Sequence, residues 1–215
     1  MLGIHDVRLL AFVLTAVVII AIPGPSVLFI VSRALASGRR VVILSVLGNT
    51  GGEYLQVCAI AFGVGAIAER SVTAFTVMKA VGGLYLIYLG IKTFRERKAI
   101  APLLTSLGER PQTDGRSLFQ GLTVGATNPK TMVFMAAILP QFVSRASGNV
   151  PVQILVLGAI FSTMAIISDS VWALLADRFR SWFARSPQRL ELVGGAGGAA
   201  IVAVGAGLLL SGRKS

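Results

Sequence analysis

Four ionisable side chains lie inside long apolar runs: Glu53, Lys79, Lys130 and Asp169. A charge at bilayer depth is costly, so such residues face a protein interior, pair with one another or line water. Two acids and two bases balance, which favours pairing. Asn49, Glu53 and Gln56 follow one another at i, i+4 and i+7 and so share one helix face. Such a set can exchange a proton at a carboxyl withdrawn from water. The plainer alternative is fixed ion pairs that hold helices in register. Asp169 is read as a proton carrier, while Glu53 stays open between the two roles. Lys130 stays open between meeting a solute carboxylate and neutralising an acid. Lys79 is expected to snorkel outward.

Other chemistries are thinly supplied. The single histidine is His5 and the single cysteine is Cys58. That removes most His-dependent catalysis, metal clusters and any intrachain disulfide, so no metal and no cofactor are expected. An intramembrane enzyme would need a nucleophile and a base at matched depth. Ser26, Ser162 and Ser168 offer hydroxyls, with Lys130 as the conceivable base. The segment around Lys130, GATNPKT, has a superficial phosphate-loop look, but no glycine precedes the lysine and no strand precedes the segment.

The elements that position these residues follow from composition. Of 215 residues, 54% are hydrophobic and 13% charged, and the mean hydropathy is +0.79. A soluble chain is nearer a quarter charged, so the lipid bilayer is the expected solvent. The net charge of +11 sits in loops between apolar runs. It therefore reflects a membrane charge rule and no nucleic-acid partner. Six apolar stretches, near 9–32, 41–67, 72–91, 118–143, 151–176 and 190–211, reach the roughly 20 residues that a helix needs to cross a bilayer. Ala34-Leu35-Ala36 looks like a cleavage site. However, the run before it is too long for a signal peptide and holds Pro23 and Pro25, so a retained first helix is expected. One stretch re-entrant, leaving five spans, is the alternative.

Lysine and arginine divide unevenly between the two sides. Thirteen fall in the loops after the first, third and fifth stretches, from Arg33, Arg39 and Arg40 to Arg178, Arg180, Arg185 and Arg189. Five fall on the other side: Arg8, Arg70, Arg145, Arg213 and Lys214. That bias puts the odd loops in the cytoplasm and both termini outside. Trp172 and Trp182 flank the inner end of the fifth stretch as interfacial anchors.

A polar linker over 94–117 separates a three-helix unit, 1–93, from a second, 118–215. Three spans per unit make the second enter from the opposite side, which is the arithmetic of an inverted repeat. The fold class expected is thus all-α, a six-helix membrane bundle of two inverted three-helix repeats. The first helix of each unit is interrupted, at Pro23-Gly24-Pro25 and at Asn128-Pro129. Matched breaks point to a midplane binding site; a kink serving packing alone is the alternative. Gly48 and Gly52 lie on a face beside Asn49 and Glu53 and would admit a close neighbour, as would Gly82 and Gly83. The glycines of the last stretch, Gly194 to Gly207, could face the same chain or a second copy.

Several of these segments resemble the LysE/RhtB family of bacterial amino-acid exporters. The similar segments are PGPSVLFIVSRALASGRR from Pro23, LGNTGG at 47–52, MKAVGGLYLIYLGIKTFR at 78–95, GLTVGATNPKTMVFMAAILPQFV at 121–143 and SDSVWALLADRFR at 168–180. The resemblance implies export of an amino acid or related metabolite across the bacterial inner membrane. The buried acids, with no ATPase element, add the expectation of proton antiport by rocking of the two halves. Pro23, Gly24, Pro25, Asn49, Glu53, Asn128, Pro129, Lys130 and Asp169 would line the path. A passive channel or membrane scaffold is the remaining alternative.

Overall fold

A computed structural model describes residues 6–63, 72–99, 113–144, 148–178 and 187–210. The described residues form eight α-helices and no strand. They are α1 (Asp6–Ala21), α2 (Pro25–Ala36), α3 (Arg39–Phe62), α4 (Val72–Arg95), α5 (Asp114–Ala126), α6 (Pro129–Val133), α7 (Val150–Arg178) and α8 (Pro187–Leu210). The first expected stretch is α1 and α2, bent by 52° at the PGP segment. The fourth is α5 and α6, parted at Thr127 and Asn128 and then loosened into a π turn (Phe134–Ile138) and a 3-10 turn (Leu139–Phe142). Pro140 brings no N–H to that last stretch, and Gln141 Nε2 donates to the Ala137 carbonyl at 2.6 Å.

Among the described residues, Val150–Ala176 is long and apolar enough to cross a membrane, and the bent α1–α2 pair is so when taken together, as a broken span or a re-entrant loop. Boundaries shift slightly from expectation. Helix α4 runs on to Arg95 and a short 3-10 turn, and α5 starts at Asp114, capped by Thr113. Of the expected linker, 100–112 lie outside the described residues, as do Arg70, Arg145, Arg180, Trp182, Arg185, Arg213, Lys214 and the side chain of Lys79.

The described residues bury a polar cluster beside their apolar cores and expose many large apolar side chains. Leu10, Leu14, Ile43, Leu47, Leu84 and Leu174 are exposed, whereas Asn49, Glu53, Asn128, Lys130 and Asp169 are buried. That distribution suits a hydrocarbon solvent, where exposed carbon costs nothing and polar groups must find partners within the protein. Arg33 departs from its expected place in a loop. It belongs to α2 and is buried, with Nη2 donating to Gln120 Oε1 at 2.8 Å and its guanidinium over the Phe29 ring. The last turn of α2 therefore continues inside the protein past the apolar run.

Two glycine seams set the helix spacing. A Cβ at Gly48 or Gly52 would overlap the carbonyls of Leu118 and Leu122, and one at Gly121 or Gly125 those of Ser45 and Asn49. Residue numbers rise together along this seam, so α3 and α5 run parallel. An exposed Arg40–Asp114 ion pair ties their N-terminal ends. The second seam joins α4 and α8 antiparallel, through Gly83 with Gly205 and Gly90 with Gly198; a Cβ at Gly90 would lie 2.6 Å from the Gly198 carbonyl oxygen. Gly82 abuts Ala137 and Val133. The α8 glycines at these points are thus taken up within the chain. In membranes such small-residue seams let dispersion and backbone contact replace the hydrophobic effect as the packing force.

The first seam generates a prediction. Gly125→Val should lower stability by on the order of 3 kcal/mol, because the added carbons meet backbone that cannot give way. Gly51→Ala, with nothing within 4 Å of the added carbon, should leave it unchanged. Thermal unfolding in detergent reads the difference, and equal midpoints for the two variants would contradict the seam.

Candidate functional site

The two proline interruptions meet. Asn128 Nδ2 donates to Ser26 Oγ at 2.6 Å, joining the start of α6 to the start of α2. A proline at position i has no N–H for the carbonyl at i−4, so Pro23 leaves Ile19 without that donor, while Gly125, denied one by Pro129, accepts from Asn128 N at 3.2 Å. Lys130 Nζ donates to the carbonyls of Ile19 (3.1 Å) and Ile22 (2.7 Å). Gln56 Nε2 donates to those of Gly125 (2.9 Å), Ala126 (2.9 Å) and Asn128 (3.2 Å). A side chain from 118–215 thus satisfies the break in 1–93, and a side chain from 1–93 satisfies the break in 118–215. Asn128 also caps its own short helix, its Oδ1 accepting from Lys130 N at 3.1 Å. Gly24 leaves room for Lys130: a Cβ there would lie 3.2 Å from Lys130 Cδ and Cε.

The acids sit between these caps. Glu53 Oε1 accepts from Thr131 Oγ1 at 3.2 Å and lies 3.3 Å from Ser26 Oγ and 3.5 Å from Asn49 Nδ2. The Ser26 hydroxyl also points at Asn49 Oδ1, 2.8 Å away, and its one proton serves one acceptor at a time. Asn49 Nδ2 donates to Asp169 Oδ2 at 2.9 Å. Asn49, Glu53 and Gln56 thus occupy one buried face of α3, as their spacing demands, and that face addresses α2, α5, α6 and α7. The expected ion pairs are not how the charges are satisfied. Lys130 acts on both carboxylates through space, while its hydrogen bonds go to backbone carbonyls.

An aromatic cluster and a groove bound this network. Phe134 stacks on Phe161 at 5.0 Å, and Phe12 meets Phe142 edge-on at 5.4 Å. Near the ends of α3 and α5 joined by Arg40 and Asp114 there is instead a groove of about 540 Å³, lined by Ala34, Arg39, Val46, Ile166, Ser170 and Ala173. Ile166 and Ala173 lie on the Asp169 face of α7, one turn to either side of it.

All nine residues expected along the path fall at this junction or in the breaks that form it. Ser26, Gln56 and Thr131 complete it. Ser26 carried a signal as the residue after Pro25, and Gln56 as the third member of its helix face. Thr131, two residues past Pro129, carried none beyond that position. Ser26 does not form the Ser–Lys pair of the enzyme alternative: its hydroxyl engages Asn49, Glu53 and Asn128, while Lys130 Nζ turns to α1.

The sequence matches the family model of the LysE type translocator over residues 17–212. It is 31% identical over 205 residues to a Salmonella typhimurium protein named homoserine/homoserine lactone efflux protein, covering 95% of this chain and 97% of that one. It is 32% identical over 207 residues to an uncharacterized membrane protein of Vibrio cholerae, covering 96% and 97%. A threonine efflux protein of Salmonella typhi is 30% identical over 139 residues, 63% of this chain and 67% of that one. No solved structure matches the chain.

The crossed caps can be tested by coupling. Gln56→Leu should cost about 1–3 kcal/mol, the usual cost of stripping a buried polar group of its partner. In a Pro129→Ala background the restored N–H gives the Gly125 carbonyl a second backbone donor beside Asn128 N, so the cost should shrink by at least about 0.5 kcal/mol. A double-mutant cycle on unfolding in detergent measures this, and strict additivity would count against it.

Proposed function

The chain belongs to the LysE type translocators, and from that premise we propose that it exports amino acids or closely related metabolites across the bacterial inner membrane, by proton antiport and alternating access. The observation that carries this reading is the junction of two broken helices around buried Glu53 and Asp169. Interrupted helices meeting beside polar groups are how transporters build a solute site where lipid forbids loose backbone. The efflux proteins of Salmonella among the relatives agree with it.

In this reading 1–93 and 118–215 are inverted three-span repeats joined by the linker at 94–117, making six crossings with both termini periplasmic. The directions of the helix pairs support it. Spans alternating in and out require α3 and α5 to be parallel and α4 and α8 antiparallel, as their glycine seams run. The crossed caps support it too, since each repeat mends the other's break.

Asp169 and Glu53 take up protons in turn with the solute. The groove beside Asp169 lies at the end of α3 bearing Arg39 and Arg40, the cytoplasmic end by the charge bias.

Proteoliposomes loaded with labelled threonine or homoserine and given a pH gradient test the reading. Efflux should accelerate when protons can enter as solute leaves. Asp169→Asn should reduce gradient-driven efflux to background while expression and elution from a sizing column stay normal. Flux indifferent to the gradient would sink antiport, and flux linear in solute concentration would favour a channel.

A further inference from the structure

Resting on that export reading, we infer that the solute is held by its primary ammonium group, between Glu53 and Asp169, and that a free carboxylate is not required. Among the described residues the junction has two acids and no cation that forms an ion pair with them. Glu53 is only 4% exposed, and its Oε2 has no hydrogen-bond partner, because Ser26, Thr131 and Asn49 all converge on Oε1. A buried carboxylate oxygen without a donor is costly, and the group that best offsets the cost is a charged N–H donor. Asp169, also 4% exposed, is tied to Asn49 through Oδ2.

Lys130 brings the ammonium nearest in chemistry, and it is held away by the carbonyls of Ile19 and Ile22. One nitrogen can nevertheless reach both acids. Asn49 Nδ2 already does so, at 2.9 Å from Asp169 Oδ2 and 3.5 Å from Glu53 Oε1. A solute ammonium that takes the place of Asn49 Nδ2 between the acids has three protons to offer their carboxyls, and it leaves Lys130 and Gln56 on the helix breaks.

A carboxylate finds the opposite situation. The cation that would receive it is committed to backbone oxygens, and the acids on α3 and α7 repel it. The class recognised is therefore a small primary amine with a polar body. An amino acid qualifies, and so does its amide or its lactone, whereas the corresponding hydroxy acid does not.

The test uses the full chain in lipid nanodiscs and isothermal titration with L-threonine, L-threoninamide and 2,3-dihydroxybutyrate, which carries a hydroxyl in place of the ammonium. Threonine and its amide should bind within about threefold of each other, and the hydroxy acid at least about tenfold more weakly, the loss expected for a charged hydrogen bond. Glu53→Gln should weaken threonine by a similar factor; should that variant not fold, Asp169→Asn is read in the same way. The reverse order of ligands, or no binding by either amine, overturns the inference. Threonine counterflow on the same preparation separates the two readings. Counterflow with the hydroxy acid binding as well as threonine defeats only the ammonium site, whereas amine binding with no counterflow defeats only export.

Discussion

A proline in a membrane helix strands a carbonyl, and in hydrocarbon no water is at hand to receive it. Everything at the centre of this protein follows from how two such carbonyls are satisfied. Ile19 is met by Lys130, and Gly125, which also accepts from Asn128 N, is met by Gln56, each side chain reaching across from the other part of the chain. The cost of interrupting a helix is thereby turned into a specification of which helices must be neighbours, since α6 has to lie beside α1 and α3 beside α5.

The buried acids depend on that arrangement. Glu53 and Asp169 lie far apart in sequence, on antiparallel helices, and Asn49 spans the gap between them. Asn49 can do so because its own backbone is pressed against Gly125, where any side chain would hold α5 off. The glycine seam and the polar cluster are two faces of the same stretch of α3, separated by one residue in the sequence. Close backbone contact on one face brings α5 and α6 near enough for the hydroxyls and amides on the other to bond.

The sequence made a good part of this legible. The interruptions at Pro23–Pro25 and Pro129 could be read because a missing N–H is a local property. The shared face of Asn49, Glu53 and Gln56 could be read because helical periodicity is local too, and so could the small-residue face at Gly48 and Gly52. What could not be read was pairing at a distance. Nothing near Lys130 says that its ammonium will seek Ile19 and not Glu53. Nothing near Arg33 says that Gln120 will draw it out of a loop and into the protein. The π turn at Phe134–Ile138 was hidden for a different reason: apart from Pro140 its residues are ordinary helix formers, and the loosening is imposed by the packing around them.

Backbone laid against backbone leaves no play. Along α3 and α5 the contact is carbonyl to Cα over two full turns, so neither helix can slide, roll or tilt without its partner. The two behave as a single plank, although they are drawn from opposite sides of the linker. If the protein rocks as proposed, the pivot has to lie elsewhere, at the break around Ile22 and the π and 3-10 turns of Phe134–Phe142. In such a rocking carrier the moving pieces would not be 1–93 and 118–215, because the plank takes one helix from each.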